Sequence, residues 1–343
     1  MRYKVIFDTN SIRNAESEKQ FLGGRSDLER FAKVSDIIIP DIVVEEIISQ
    51  KNKHFSSKKA AFLSNPFHSI MGLDIDRTKN CDIEAFVLKL AEEEPIPYTT
   101  ITMQDKNILT EIKDMCLRHS PPFEENSDKG FKDTCIYFIV KQYLERQEGE
   151  KVFLVSQDER LQLAFNNDDR IRVVENYDEF EKYIDEYFKD PYFIERLREE
   201  ISPDIAPECY EDSWLNVEEN WVIRLKCGEN KYYVEVDFSS KEIIGSIDRD
   251  FSDPLSRLVS SGSFSSTHSS IEELKGYVRY LSNQDIQNLI KAACDNSQIY
   301  SISTDEDVKE FFLSLYEAKL QILSDEIRDR FEFLFDVKKG NDL

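Results

Sequence analysis

Along the first 188 residues, short apolar runs alternate with helical patterns, and this alternation constrains the fold more than any other feature. Tyr3–Phe7 is an apolar run of strand length. Arg25–Val34 places Leu28, Phe31 and Ala32 on one side of a helix, and Asp36–Ile39 is a second strand stopped by Pro40. Asp41 can cap the helix that continues through Ile48 towards a lysine-rich stretch. Helices are predicted over Cys81–Glu94, Met103–Leu117 and the strongly apolar Thr134–Arg146. A strand at Lys151–Val155, a helix at Glu159–Phe165, a strand at Ile171–Val174 and a helix at Tyr177–Phe188 complete the series. Strands separated by helices pair in parallel and are covered on both faces, so residues 1–188 are predicted to form a three-layer α/β/α domain.

The pattern then changes. Asp190-Pro191 and Ser202-Pro203 punctuate a linker and a short helix. Trp221–Cys227 and Lys231–Phe238 alternate as two strands around Gly228-Glu229-Asn230, a hairpin signal, and Glu242–Ile247 is a candidate third strand. Phe251–Ser270 is rich in Ser and Gly and is predicted to be a mobile loop. Helices follow at Ile271–Leu281, Asn283–Asp295 and, with a break, Asp305–Phe335. A chain of 343 residues has room for two domains. The second, residues 189–343, is expected to be a smaller α+β module that selects substrate, assembles oligomers or binds a partner.

Charge narrows the function classes. With 44 Lys+Arg against 68 Asp+Glu, the net charge of −24 excludes a protein coated in basic surface for nucleic acid. The excess is uneven, −10 over residues 1–188 and −14 over the shorter remainder, so the second half is the poorer grip for a polyanion and a better one for a basic protein. No apolar run approaches the ~20 residues that span a bilayer. Asp8 comes too early for a signal-peptide core. Six cysteines form no C-x-x-C pair and four histidines no H-x-x-x-H, which argues against zinc and for reduced thiols in the cytoplasm.

Four carboxylates stand at matching transitions of the first domain. Asp8 ends the first strand in Phe7-Asp8-Thr9-Asn10, and Glu46 lies on the helix after the second. Asp133 opens the apolar helix after Gly130-Phe131-Lys132, and Asp158 follows a strand in Ser156-Gln157-Asp158. Active sites of open parallel sheets form outside the carboxyl ends of the strands. Carboxylates converging there repel one another unless a cation neutralises them, and hard oxygen donors suit Mg²⁺ or Mn²⁺. The matching chemistry is metal-assisted phosphodiester hydrolysis. For each residue a plainer reading exists: a turn or cap for Asp8, a helix-dipole charge for Asp133 and Asp158, a solvated helix face for Glu45 and Glu46. The register favours Glu46 over Glu45, because Ile47 must be buried beside it.

Taken in order, the D-T-N after strand one, the P-x-x-V-x-x-E-[LI] helix, the helical Asp and the [ST]-x-D-x-x-L turn resemble a PIN domain. The stretch Arg118-His119-Ser120-Pro121-Pro122-Phe123…Lys129-Gly130-Phe131-Lys132-Asp133 resembles a bacterial PIN-like subgroup with a G-[FY]-K-D motif. The resemblance covers about residues 1–188. It implies a metal-dependent endoribonuclease with one or two Mg²⁺ or Mn²⁺ ions at Asp8, Glu46, Asp133 and Asp158, supported by Asn10 and Ser156, where Thr is the common residue. It also implies RNA rather than DNA as substrate. Many relatives are toxins or defence effectors.

Lys129 and Lys132 flank Asp133 and are the best candidates for substrate phosphate, followed by Arg118 and by Lys51 and Lys53 beyond Glu46. A solvated helix face is the competing reading of the lysines, and core packing that of Trp214 and Trp221. Two other functions stay open: a metal-dependent phosphatase, which Asp8-Thr9-Asn10 disfavours by lacking a second Asp, and a catalytically silent PIN-like scaffold. No transmembrane partner is expected, and a homo-oligomer or protein partner through the acidic half is.

Overall fold

The computed structural model describes residues 3–105, 107–127, 129–147, 152–237, 240, 242–320 and 323–337. The chain divides into two compact units, Arg2–Glu181 and Lys182–Leu343. In the first, β1 (Tyr3–Phe7), α1 (Thr9–Ile12), α2 (Arg25–Val34), β2 (Ser35–Pro40), α3 (Asp41–Ser64), α4 (Phe67–Ile70), α5 (Asp76–Asn80), α6 (Ile83–Glu92) and β3 (Thr99–Ile101) come in that order. They are followed by α7 (Leu109–Leu117), α8 (Phe131–Leu144), β4 (Val152–Val155), α9 (Glu159–Phe165), β5 (Ile171–Val174) and α10 (Tyr177–Phe188), within which the division falls.

All five strands are parallel, in the order β3-β2-β1-β4-β5. Val5, Ile6, Phe7, Ile39, Val152, Phe153 and Leu154 are 0–1% exposed, as continuous apolar runs covered on both faces must be. Tyr3, Phe31, Phe153, Tyr177 and Phe180 meet ring to ring at 4.8–5.6 Å beside the central strand. The strand order reverses at β1, which lies between β2 and β4. Ligands of open α/β sheets bind at that switch, beyond the carboxyl ends of the strands. Asp8 is the residue after β1, and its N–H extends the ladder to the Val155 carbonyl at 3.1 Å.

The expected strands β1, β2, β4 and β5 are present, and β3 is additional. β3 is three residues of an edge strand with the polar sequence Thr-Thr-Ile, too short to show a period. The helix expected over Met103–Leu117 begins only at Leu109. Lys151 and Phe238, placed in strands by the sequence, lie outside the described residues, as do residues 321 and 322.

The second unit contains α11 (Pro191–Glu200), then an antiparallel sheet of β6 (Tyr210–Leu215), β7 (Trp221–Cys227), β8 (Asn230–Val236) and β9 (Ile243–Ile247). Six helices follow: α12 (Ser252–Val259), α13 (Phe264–Lys275), α14 (Asn283–Asp295), α15 (Ser297–Ser301), α16 (Glu306–Ala318) and α17 (Asp325–Phe335). One core joins Trp214, Val222 and Tyr233 of the sheet to Leu258, Ile271, Leu289, Phe312 and Phe331 of the helices. Both tryptophans are packed, Trp214 at 6% and Trp221 at 3% exposure, so neither is a base-stacking platform.

Two expectations are corrected here. The Ser-rich stretch Phe251–Ser270 is not a mobile loop, because its serines cap and bridge helices α12 and α13. The Ser263 hydroxyl accepts the Ser266 N–H at 3.2 Å, and Ser261 Oγ bonds Ser263 O at 3.0 Å and Thr267 Oγ1 at 2.7 Å. The thiols are also not all reduced: Cys209 and Cys227 form a disulfide. Cys209 directly precedes β6 and Cys227 ends its antiparallel neighbour β7, so pairing of the strands brings two residues 18 apart in sequence to a Cα separation of 5.0 Å.

Candidate active site

Asp8 is held at the end of the central strand with only 1% of its surface exposed. Its Oδ2 accepts the Ser156 hydroxyl at 2.9 Å, and Ser156 Oγ in turn accepts the Asp158 N–H at 3.1 Å. Ser156 is itself wholly buried just past β4, with its N–H donated to Val174 O at 3.0 Å and its carbonyl accepting Gln162 Nε2 at 2.9 Å. Asp158 is the N-cap of α9, its Oδ1 accepting the Leu161 N–H at 2.8 Å. The sequence motif S-x-D-x-x-L is therefore a physical unit. The Ser reaches the strand-one carboxylate, the Asp caps a helix, and the Leu buries that helix against the sheet.

Asp133 sits in the first turn of α8, and Gly130 determines where that turn lies. Gly130 has φ +110°, and a Cβ there would come within 2.7 Å of Pro122 O and 2.8 Å of Phe123 Cα. Only glycine permits this approach. The Thr134 side chain and N–H both donate to the Gly130 carbonyl at 2.8 Å, closing the turn. Arg160, two residues beyond Asp158, ties down the facing loop, donating from Nε to Phe123 O at 2.8 Å and from Nη2 to His119 O at 2.9 Å. The loop thus links the Asp158 helix to the Asp133 helix. Arg160 was not singled out in the sequence, where it reads as an ordinary exposed helix charge.

Glu46 is half-buried on α3, with Ile47 beneath it at 1% exposure and Glu45 exposed, as the register requires. Thr9 Oγ1 donates to its Oε2 at 3.1 Å and Gln50 Nε2 to its Oε1 at 3.0 Å. Lys132 Nζ lies 2.6 Å from the same Oε1. Thr9 and Gln50 are site residues the sequence reading missed. Thr9 lay inside the D-T-N motif, and Gln50 stands at the i+4 position from Glu46.

Asp8 and Asp133 feel the neighbouring carboxylates. Burial pushes Asp8 up to about 6, the charges of Asp133 and Asp158 add to the rise, and the Ser156 hydrogen bond opposes it. Asp133 is raised by burial first, then by Asp158 and Glu46, against the pull of Lys132. The donors are hard oxygens, the kind a divalent cation such as Mg²⁺ or Mn²⁺ takes, and Lys132 offsets only part of their negative charge. Their spacing is wider than a ligand shell: among the described residues no group of three or more His, Cys, Asp or Glu side chains is close enough to hold a metal ion.

The supporting residues divide. Ser156 is in place, whereas Asn10 is exposed on α1. Lys132 is at the site through Glu46. Lys129 is exposed and 3.8 Å from Glu124, Lys53 is exposed on α3, and Arg118 is exposed at the end of α7. Lys51 is a correction. It is wholly buried, its ammonium donates to Ser17 O at 2.9 Å and Gln20 O at 2.8 Å, and burial lowers it to about 8, so it braces the loop after α1 and cannot meet a substrate phosphate.

Residues 5–161 match the family model of the PIN domain. The first unit contains a PIN domain. The match runs from within β1 to the start of α9 and so takes in all four carboxylates, Ser156 and Gly130. PIN domains belong to a nuclease superfamily, hydrolases that act on nucleic acid. No curated protein and no solved structure matches the chain. No described helix is long and apolar enough to cross a membrane.

Proposed function

We propose that the PIN domain is a metal-dependent endoribonuclease with Asp8, Glu46, Asp133 and Asp158 as the residues that would hold Mg²⁺ or Mn²⁺. The observation that carries this reading is Asp8, a carboxylate buried at the switch point of the sheet with a hydroxyl but, among the described residues, no cation against it, and with like charges nearby. A bound cation would supply an activated water and neutralise charge at the scissile phosphate. Ser156 fixes the Asp8 carboxylate, Asp158 is fixed by its own helix cap, and Gly130 fixes the turn bearing Asp133. Lys132, already an exposed ammonium beside Glu46, is placed to take a phosphate oxygen. The preference for RNA rests on the family. We assign residues 189–343, with their excess of acid, to partner binding or assembly.

The test is incubation of the full chain with labelled RNA and DNA in Mn²⁺, with EDTA and Asp8→Asn as controls. Cleavage of RNA that EDTA and Asp8→Asn both abolish is expected. Undiminished cleavage by Asp8→Asn would remove the site. The silent-scaffold reading has one observation in its favour, the Lys132–Glu46 ion pair at 2.6 Å, which places an ammonium against one member of the quartet. It predicts no thermal stabilisation by Mn²⁺, whereas the nuclease reading predicts a Tm that rises with Mn²⁺ concentration.

A further inference from the structure

Arg160 stands in the first turn of α9, the turn that Asp158 caps. A positive charge there faces the positive end of the helix dipole, where acids such as Glu159 are favoured. The side chain is nonetheless only 20% exposed, and its nitrogens turn to the loop between α7 and α8. Nε donates to Phe123 O at 2.8 Å and Nη2 to His119 O at 2.9 Å, while Nη1 lies 3.3 Å from Glu125 Oε1. Glu125 is 76% exposed, so that ion pair contributes little. The two carbonyls are what the guanidinium holds. Its planar fork reaches both at once, which the single point charge of an ammonium does not.

The loop passes this constraint on to Asp133. Phe123 is 1% exposed and shares an apolar cluster with Ile112 of α7 and Phe138 of α8. The Glu124 N–H donates to Lys129 O at 3.0 Å, closing the loop on itself just before Gly130. Gly130 then runs so close to Pro122 and Phe123 that no Cβ fits, and its carbonyl opens α8 by accepting from Thr134. Asp133 lies in that turn. The path from Asp158 to Asp133 is therefore helix cap, guanidinium, loop backbone and glycine contact. The carboxylates at its two ends repel each other, Asp158 being among the charges that raise Asp133. We propose that Arg160 is a positioning residue: a strut that fixes the first turn of α8, and with it Asp133, relative to Asp158 against this repulsion, and so sets the affinity of the site for a divalent cation. The cation rests on the nuclease reading, whereas the strut does not.

The experiment uses the full chain and its variants Arg160→Ala, Arg160→Lys and Glu125→Gln. Mn²⁺ affinity is read by electron paramagnetic resonance of the free ion, and backbone hydrogen exchange is followed separately in EDTA. Arg160→Ala should weaken Mn²⁺ binding by about tenfold or more, as the loss of a residue supporting metal ligands does. In EDTA it should speed exchange at the Glu124 and Thr134 amides by about tenfold, while Val5 and Phe7 of the central strand keep their protection. Arg160→Lys should recover part of both effects, and Glu125→Gln should match the parent. Ethylguanidinium, but not ethylammonium, should restore Mn²⁺ affinity to Arg160→Ala. The strut is overturned if Arg160→Lys equals the parent in both readouts, since charge alone would then suffice; this arm decides even where Arg160→Ala does not fold. It is equally overturned if the central strand loses protection in step with Thr134, the mark of general destabilisation. If the parent binds no Mn²⁺ while Arg160→Ala still frees Thr134, the nuclease reading falls and the strut stands. Mn²⁺ binding that needs Asp8, with affinity or Thr134 protection unchanged in Arg160→Ala, does the reverse.

Discussion

Asp8 and Glu235 are buried alike, 1% and 0% exposed, and their surroundings are opposite. Glu235, on β8 of the second unit, has amide donors on one oxygen and a cation beside the other. Its Oε1 accepts Asn216 Nδ2 at 2.8 Å and Asn220 Nδ2 at 2.9 Å, and its Oε2 lies 2.9 Å from Arg279 Nη2. Asp8 has the Ser156 hydroxyl, with Asp133 and Asp158 adding negative charge. Nor does the PIN domain lack the means to pair a buried acid: Glu94, whose side chain is 1% exposed, is held by Arg25 and by the N–H of Leu22. A buried carboxylate given a guanidinium is part of the framework. One left among its own kind, at the mouth of a parallel sheet, is what the proposed nuclease would neutralise with a cation from outside.

This contrast makes opposite predictions for the two sites. The largest effect is expected at the framework acid. Arg279→Ala leaves the buried Glu235 without its cation and should destabilise the protein by about 3 kcal/mol, the low end for a broken buried pair because Arg279 is itself part-exposed, read from urea denaturation. A neutral result would mean that the asparagines alone suffice, and the contrast would lose one side. Asp8→Asn should do the reverse and stabilise the metal-free protein. The folded Asp8 titrates near 6 against 3.8 for the ordinary carboxyl, so between those values the folded state binds more protons than the unfolded one. Stability therefore falls as pH rises through this window, and the cost is complete above the folded value. The gain from Asp8→Asn should approach about 2–3 kcal/mol at pH 8 and vanish by about pH 3. A gain independent of pH would show that charge is not the cause. The smallest effect belongs to Ser156→Ala, which removes the hydrogen bond that favours the ionised form. It should cost about 1 kcal/mol and move the Asp8 titration, followed by carbon-13 NMR of the carboxyl, to a pH above that of the parent.

How far the sequence could be read follows from the range of the forces involved. Strands β1, β2, β4 and β5 were legible because parallel strands between helices are short, mostly apolar runs, and the places of Asp8, Asp133 and Asp158 in the fold because each stands at a strand or helix terminus. Glu46 was separable from Glu45 by helix register alone. What was not legible depends on contacts between distant residues. Nothing in the Lys51 neighbourhood announces that its ammonium turns inward to the Ser17 and Gln20 carbonyls. Arg160 acquires its role only when the loop bearing His119 and Phe123 folds back on it. Serines between 251 and 270 resemble a flexible linker in composition, and only the network around Ser261 distinguishes helix caps from slack. The disulfide escaped for the same reason, since strand pairing places Cys209 beside Cys227 and no local spacing marks it.

The position of β1 in the middle of the sheet has a consequence for biogenesis. Of the five strands of this sheet β1 is synthesised before the others; one neighbour, β2, follows within forty residues, whereas the other, β4, is more than a hundred residues further on. Asp8 and its hydroxyl donor are 148 residues apart, and at 5–20 residues per second roughly 7–30 s separates their synthesis. During that interval the β4 side of β1 has no strand to pair with. The acidic pocket is closed only by nearly the last strand of its domain, so a truncated translation product ending before Ser156 would carry Asp8, Glu46 and Asp133 without the element that assembles them.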